Sequence, residues 1–454
     1  MRLIKQSKYY KSILTLGLPV VLAQLGQITV GIADNMMIGH IPGNSTDPLA
    51  AASFANTLFT LTILFGTGFS YIITPLIGNA FGQNKPQKIP TLFANGLASN
   101  AIVGVALTIL LFILSKFMGS MGQPPQIIDM ARQYMFILMA SILPMMGFFA
   151  FKQYAEGIGN TKVSMLITIA ANLINVAVNY LLIYGKLGFP ELGLLGAGIG
   201  TLISRIFMLL AAMWWFYRTP SLKKHLPSIA QVNITLAGMK PFFRMGLASG
   251  GQIVMESSAF ALSTVMMGWL GAQGLAAHQI GISISTLGFM VYQGIGAATT
   301  IRISQLKGGR NITGMRNTMA ASVHILLLMV ICMGSFFFLS RHWLPSLFTT
   351  NAEVINLASQ FLIVLAIYQL PDALMLIYGF ALRGLADVLV PALITLVSLF
   401  AISLSVSYLS AFVWGYNEIG IWFGFPLGLS AGAILLIWRF TRKLKRYQKA
   451  WAIK

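Results

Sequence analysis

Acidic residues are scarce in this sequence: Asp and Glu together number 10 in 454 residues, against 30 Lys and Arg. Charged residues make up only 9% of the chain and hydrophobic residues 57%, with a mean hydropathy of +0.78. A soluble domain typically devotes about a quarter of its residues to charge. The composition therefore excludes an ordinary soluble protein and predicts an integral membrane protein.

Cysteine and histidine are scarce as well. The single cysteine, Cys332, excludes an intrachain disulfide, and we expect it to be a small core residue. Five histidines are too scattered for a transition-metal site, so we expect no cofactor. The Gly-x-Gly-Asp and His-Glu-x-x-His patterns of intramembrane proteases are absent, and an enzyme is therefore not expected.

Long apolar runs are what the sequence has in abundance. Each is about 20 residues or longer, which is enough for a helix to cross a bilayer. We predict an all-α integral membrane protein with twelve transmembrane helices near residues 12–37, 49–79, 90–117, 127–155, 163–185, 195–217, 242–268, 276–304, 314–340, 354–381, 389–413 and 420–438.

The basic residues lie almost entirely on one side of the predicted membrane. With the N-terminus in the cytoplasm, that side collects nearly every Lys and Arg, including Arg383 and the basic C-terminal tail. Such an asymmetry follows the positive-inside rule, so it indicates topology and not nucleic-acid binding. We expect a multi-pass protein of the bacterial cytoplasmic membrane with both termini inside. The opposite side keeps only Lys116, Arg132, Lys186 and Arg341.

The chain matches itself when it is shifted by about half its length. LPMMGFFAFKQYAEGIGNTKVSMLIT, from Leu143, aligns with LPDALMLIYGFALRGLADVLVPALIT, from Leu370. Six spans in each half make the repeats parallel, so we predict two six-helix bundles related by a pseudo-two-fold axis along the membrane normal. This architecture places a cavity between the lobes, with rocking as the natural motion. The expected divisions are a lobe at 1–217, a cytoplasmic linker at 218–236 and a second lobe with the basic tail at 237–454.

Seven of the ten acids fall in loops or at helix ends, and three lie well inside predicted spans: Asp34, Glu256 and Asp372. A charge at the bilayer centre costs roughly 3 kcal/mol on insertion scales, so an intramembrane carboxylate suggests function by default. The alternative is a structural hydrogen bond to a neighbouring helix.

Polar neighbours share the helix faces of these acids. Residues three, four and seven apart lie on one helix face. Polar side chains can simply join helices, but a face with several of them and an acid indicates a wet cavity. The neighbours are Gln27 with Asp34 on the first helix, Gln252 with Glu256 on the seventh, and Asn175 with Asn179 on the fifth.

Pro371 precedes Asp372 within the tenth run and predicts a kink, because proline has no N–H to donate to the carbonyl of Ile367. That carbonyl, the hydroxyl of Tyr368 and the Asp372 carboxylate are oxygen ligands within about one turn, which suits a hard cation or a proton. Pro144 repeats the kink in the first half, where no aspartate follows it.

Arg205 lies near the middle of the sixth run. It could pair with an acid, or its side chain could extend along its own helix towards water. The sequence leaves both possibilities open.

With these residues placed, the sequence resembles the multidrug and toxic compound extrusion (MATE) family, in particular its NorM-like branch. The resemblance covers essentially the whole chain and is carried by several motifs together. They are GLPVVLAQ with GIADNMMIGH, NVAVNYLLIYGKLG, MESSAFALS, AAHQIG, YQLPDA and ALRGLAD. Arg205 matches no pattern of the family.

The resemblance implies efflux of organic cations in exchange for inward sodium or protons. In the NorM-like branch the cation site is attributed to the second lobe, here Glu256, Asp372 and Tyr368, with Asn179 nearby. The resemblance therefore makes Glu256, Asp372 and Tyr368 a candidate Na⁺ site. Other branches emphasise the first lobe, here Asp34, Asn175 and Asn179. This sequence keeps both sets.

We therefore predict an antiporter coupled to Na⁺ or H⁺ that exports lipophilic cations by alternating access. It would have lipophilic cationic small molecules and membrane lipids as partners, and we expect a monomer. A rival interpretation is a flippase for a lipid-linked saccharide, which would be expected to carry cationic cavity residues, and only Arg205 qualifies. A passive channel is disfavoured because kinked, unequal lobes suggest alternation.

Overall fold

The structure is a computed structural model that describes residues 2–41, 46–219 and 233–452, with side chains from residue 7 onwards in the first segment. Most of the predicted linker, 218–236, lies outside the described residues.

Within these described residues, twelve helical segments are long and apolar enough to cross a membrane, so the prediction of an all-α membrane protein with twelve spans is confirmed. The described residues contain no β-strand. Each predicted run falls within one of the observed spans: Ser7–Gly39, Thr46–Gly82, Lys88–Ser120, Pro125–Gly157, Thr161–Tyr184, Leu194–Arg218, Leu236–Leu270, Ala272–Gly308, Ile312–Leu339, Ala352–Gly384, Leu389–Val413 and Asn417–Ala452, with one-residue overhangs at the fifth and ninth.

Four of the spans are not single α-helices. The second consists of Thr46–Ser70 and Ile73–Gly82, the third ends in the 3₁₀ turn Met118–Ser120, and the fourth consists of Pro125–Ala140 and Ile142–Gly157. The eleventh alternates between α-helix at Leu389–Leu396 and Ser405–Tyr408 and π-helix at Val397–Leu404 and Leu409–Val413. The first helix begins at Arg2, and a short helix, Trp343–Ser346, follows the ninth span.

The two repeat-related prolines lie in different helical contexts. Pro144 falls in the first turn of Ile142–Gly157, just after a break at Ser141, where its missing N–H has no helical partner to lose. Pro371 lies inside the single helix Ala352–Gly384. The kink at Pro371 stays a prediction.

A stripe of glycines joins the eleventh and twelfth spans. A β carbon on Gly424 would come within 2.1 Å of Ser407 Oγ and 2.2 Å of Ser403 O, so only glycine allows this approach. Two hydroxyls of the eleventh span donate to backbone carbonyls of the twelfth: Ser407 Oγ to Ile421 O at 2.6 Å, and Ser410 Oγ to Gly420 O at 2.6 Å. The stripe continues through Gly428 and Gly432.

The chain divides into two compact units whose boundaries fall inside helices. We call Leu22–Gly250 the N-unit, and Met1–Val21 together with Gly251–Lys454 the C-unit. The first and seventh helices therefore each contribute to both units. The lobes 1–217 and 237–454 describe the sequence repeat and remain a prediction.

Aromatic residues form the core around the candidate site of the C-unit. Tyr368 is almost fully buried, with ring contacts to Trp422 and Phe425, and Phe361 stacks on Trp422 with ring centroids 5.0 Å apart. Cys332, expected in the core, is instead exposed on the ninth span, where the surface of a spanning helix is apolar.

Candidate functional site

Asp34 is the centre of a hydrogen-bonded group in the N-unit. Asn179 Nδ2 donates to Asp34 Oδ1 at 2.7 Å. In the amide orientation that satisfies both of its polar atoms, Asn175 Nδ2 donates to the same oxygen at 2.9 Å and its oxygen accepts from the backbone N–H of Thr201 at 3.3 Å. The structure therefore brings together three residues that the sequence placed on two helix faces.

This group depends on a close approach between the fifth and sixth spans. A β carbon on Gly200 would lie 1.9 Å from Asn179 Oδ1, so any larger residue at this position would collide with the amide. Both asparagines are buried, whereas Asp34 is half-buried. The asparagines thus hold the carboxylate from the inner side of the unit.

Arg205 lies in the same unit and has defined partners. Its Nη1 donates to Ser141 Oγ at 2.5 Å, at the break in the fourth span, and its guanidinium carbon lies 4.7 Å from the centroid of the Phe59 ring. Its charge also interacts electrostatically with Asp34, without forming a salt bridge to it. Arg205 is therefore anchored on neighbouring spans and compensates the charge of Asp34 from a distance.

Glu256 and Asp372 belong to the C-unit and are close enough for their charges to interact. Both side chains are half-buried. Across residues 7–41, 46–219 and 233–452, neither carboxylate takes part in a salt bridge. The charge of Arg383 acts on Glu256. This region therefore combines two carboxylates with one guanidinium, whereas in the N-unit one carboxylate, Asp34, interacts with one guanidinium, that of Arg205.

Tyr368 and Gln252 both have hydrogen-bond partners that the sequence did not predict. The hydroxyl of Tyr368 lies 2.7 Å from Ser285 Oγ. Gln252 Nε2 donates to Thr395 Oγ1 at 3.1 Å, which joins the seventh span to the eleventh. Gln27, predicted on the face of Asp34, is exposed and lies outside the hydrogen-bonded group.

Arg383 is a residue whose burial sequence reasoning did not predict, since it was counted only as one of the basic residues of the cytoplasmic side. Its side chain is only 6% exposed, and its guanidinium carbon lies 4.5 Å from the ring centroid of Phe380. The repeat offered a signal, because the LPMMGFFAFKQYAEG segment places Glu156 opposite Arg383, and Glu156 is only 4% exposed. Matched positions in the two halves therefore carry opposite buried charges.

Hard cations are the ions that these oxygen ligands would suit. No cluster of three or more His, Cys, Asp or Glu side chains occurs in the part of the chain that the structure describes. The Na⁺ site at Glu256, Asp372 and Tyr368 stays a prediction.

Twelve spanning helices with carboxylates inside them define a polytopic membrane protein of the all-α class. A family model described as MatE matches the chain twice, over residues 19–181 and 248–409. The chain belongs to the MatE family. The double match agrees with the half-chain repeat found in the sequence.

Curated relatives of similar length match nearly the whole chain. A probable multidrug resistance protein NorM of Rhizobium meliloti is 27% identical over 447 residues, covering 97% of this chain and 95% of its own length. A probable NorM of Xylella fastidiosa is 30% identical over 94% of this chain and 90% of its own, and the multidrug resistance protein MdtK of Proteus mirabilis is 29% identical over 97% of each.

Solved structures share the fold at lower identity. A crystal structure of MATE in the bent conformation has a TM-score of 0.90 at 19% identity and covers 98% of this chain and 97% of its own. The eukaryotic MATE transporter AtDTX14 has a TM-score of 0.85 at 18% identity and covers 98% and 99%. These likenesses agree with the helical fold described above.

Proposed function

We propose that this protein is an antiporter of the cytoplasmic membrane that exports lipophilic organic cations in exchange for Na⁺ or H⁺. Family membership and relatives named as multidrug resistance proteins support export of drugs. The observation that carries the coupling is the pair of carboxylates Glu256 and Asp372 in the C-unit, whose charges act on each other. A cation bound at this pair would neutralise the charge that the two carboxylates carry when ionised.

Competition for that negative charge would couple the two fluxes. Buried carboxylates attract both a lipophilic cation and a small coupling cation, because the interaction between charges strengthens as water is excluded. They cannot stabilise both fully at once, so binding of the coupling cation favours drug release. An inward-negative potential adds about 2.3 kcal/mol per charge per 100 mV to coupling-ion entry.

The charge difference between the units favours the C-unit as the coupling site. Asp34 already accepts hydrogen bonds from Asn175 and Asn179 and is compensated by Arg205. In the C-unit, Arg383 acts on Glu256, and Glu256 and Asp372 act on each other. We therefore assign ion coupling to Glu256 and Asp372, with Tyr368 as a further oxygen ligand, and a supporting role in substrate binding to Asp34.

The orientation proposed from the basic residues completes the mechanism. Both termini lie in the cytoplasm, the functional unit is a monomer, and alternating access carries substrate outwards. No cofactor other than the coupling ion is required.

The deciding experiment neutralises each acid without changing its shape. Glu256→Gln and Asp372→Asn should abolish ethidium efflux from cells while leaving the amount of protein in the membrane unchanged. Glu353→Gln is the matched control, because Glu353 is an exposed acid at the start of the tenth span. Wild-type efflux by both site variants would overturn the assignment.

Proteoliposomes with imposed gradients would identify the coupling ion. A sodium gradient and a pH gradient are applied separately to wild-type vesicles, and the gradient that drives dye transport identifies the coupling ion. Dye transport driven by that gradient should be lost in Asp372→Asn. Flipping of a lipid-linked saccharide without dye transport in the same vesicles would favour the flippase instead.

A further inference from the structure

A groove of about 320 Å³ opens on the C-unit between the ninth, tenth and twelfth spans. Most of its walls are apolar and come from Met319 and Val323 on the ninth span, Tyr378 on the tenth and Phe440 on the twelfth. The rings of Tyr378 and Phe440 meet edge to face with centroids 5.7 Å apart. The groove takes no part in the coupling site described above.

Charge is confined to one end of this groove. Arg316 lies in the second turn of the ninth span, and Lys445 lies in the last turns of the twelfth. Val323 is two helical turns deeper than Arg316, about 10 Å at a rise of 1.5 Å per residue. The groove thus has a cationic mouth and an apolar interior.

The positive charge at the mouth is not compensated by acids of the groove, whose lining contains none. Arg316 Nη2 donates to Gln448 Oε1 at 2.8 Å, which orients the guanidinium without neutralising it. Asp387 lies near the basic stretch of the twelfth span but is already paired with Arg439 at 2.9 Å and Lys443 at 3.3 Å. Within residues 7–41, 46–219 and 233–452, Arg316 and Lys445 form no salt bridge, so both charges are available to an anion.

Other contacts near the mouth are typical of a membrane surface. The guanidinium carbon of Arg442 lies 5.1 Å from the ring centroid of Trp438, an exposed tryptophan on the twelfth span. Tryptophan and arginine together are typical of the level of the lipid headgroups. His324, also in the lining, is held by Tyr10, whose hydroxyl lies 2.6 Å from its Nδ1. The groove therefore begins at headgroup depth and runs towards the hydrocarbon.

We propose that this groove binds an anionic phospholipid, with the phosphate between Arg316 and Lys445 and an acyl chain along Met319, Val323 and Phe440. Basic pockets between helices on the cytoplasmic side suit such headgroups. A lipophilic cation would be repelled by the mouth, and a free phosphate would leave the apolar walls uncovered. The site is independent of the proposed transport function.

Lipid binding to the purified full-length protein in detergent tests the proposal. Phosphatidylglycerol should remain bound in native mass spectrometry and titrate with a defined Kd, whereas phosphatidylcholine of the same chains should bind far more weakly. The double variant Arg316→Gln/Lys445→Gln should bind phosphatidylglycerol about thirtyfold more weakly, because each basic residue near an anionic lipid contributes about a factor of five.

Two further variants keep the test decisive. Lys449→Gln removes a charge from the same helix outside the groove and should leave the Kd unchanged. Ala320→Trp fills the groove with the mouth intact and should weaken phosphatidylglycerol binding while dye efflux continues. Equal phosphatidylglycerol affinity in the double variant and the wild type would overturn the proposal. Inorganic phosphate binding as tightly as the lipid would overturn it too.

Discussion

Asn179 donates a hydrogen bond to Asp34 across 2.7 Å, and this bond joins the fifth span to the first within the N-unit. The carboxylate is thereby held in one position and partly stabilised as an anion. The arrangement differs from that of Glu256 and Asp372, which act on each other by charge. Proteins of duplicated sequence can therefore keep acids in both halves and give them different surroundings.

Gly200→Ala should disturb the N-unit acid without changing any polar residue. The new β carbon would lie 1.9 Å from Asn179 Oδ1, so the amide must turn away or the two spans must separate. We expect the melting temperature to fall, with a cost of about 1–3 kcal/mol typical of overpacking, and dye efflux to weaken. The melting temperature is measured on the purified protein, and dye efflux is measured in cells.

The control for this substitution is Gly268→Ala. Gly268 is also a glycine within a helix, but nothing lies within 4 Å of a β carbon placed there. The melting temperature of the Gly268→Ala variant should stay unchanged or rise, since alanine is favoured over glycine in a helix by about 0.5–1 kcal/mol. Equal effects of the two substitutions would contradict the role given to Gly200.

Arg205→Gln should strengthen the binding of a lipophilic cation to the N-unit acid. Removal of the guanidinium leaves Asp34 without its compensating charge. A unit charge at a separation on the order of 10 Å is worth about 1–2 kcal/mol at an effective dielectric constant near 20, so the Kd for tetraphenylphosphonium should fall about tenfold. Equilibrium binding to detergent-solubilised protein measures this.

Arg205→Lys distinguishes the effect of the positive charge on Asp34 from the effect of the contact between the guanidinium and Phe59. Lysine keeps the positive charge but cannot reproduce the planar contact with Phe59. It should therefore have nearly the Kd of the wild type and a lower melting temperature. If the lysine variant binds the cation as tightly as the glutamine variant, charge compensation is not the role of Arg205.

Tyr368→Phe tests whether this hydroxyl is a ligand of the coupling ion or only a partner of Ser285. The hydrogen bond to Ser285 Oγ is lost equally in Tyr368→Phe and in Ser285→Ala, at a cost of roughly 0.5–1.5 kcal/mol each. An ion ligand predicts that Tyr368→Phe alone raises the coupling-ion concentration needed for half-maximal efflux. If efflux by Tyr368→Phe and by Ser285→Ala depends on coupling-ion concentration in the same way, the role of Tyr368 is structural only.

Much of the architecture could be predicted because it depends on local sequence. Runs of apolar residues define spans by length alone, and all twelve were found. Asn175 and Asn179 lie one helical turn apart, so their shared face was certain once the fifth helix was recognised. Meeting Asp34 required only that the first and fifth spans be neighbours.

Contacts between distant spans could not be predicted in this way. The partners of Arg205 are Ser141 and Phe59, which come from the fourth and second spans. Nothing near Arg205 in the sequence indicates either of them. The burial of Arg383 was missed for a related reason, because a basic residue at a helix end follows the positive-inside rule whether it faces water or the core.

The glycine stripe between the last two spans has a consequence for biosynthesis. The hydroxyl of Ser407 donates to Ile421 O on the twelfth helix, and that of Ser410 reaches Gly420 O there as well as Val406 O on its own helix. The partly π-helical eleventh segment also packs against glycines of the twelfth helix that carry no side chain. The eleventh segment therefore lacks some of its partners when it is in lipid by itself. We expect the two to leave the translocon together as a hairpin, so a ribosome halted after the eleventh segment would hold that segment beside the exit channel until its companion emerged.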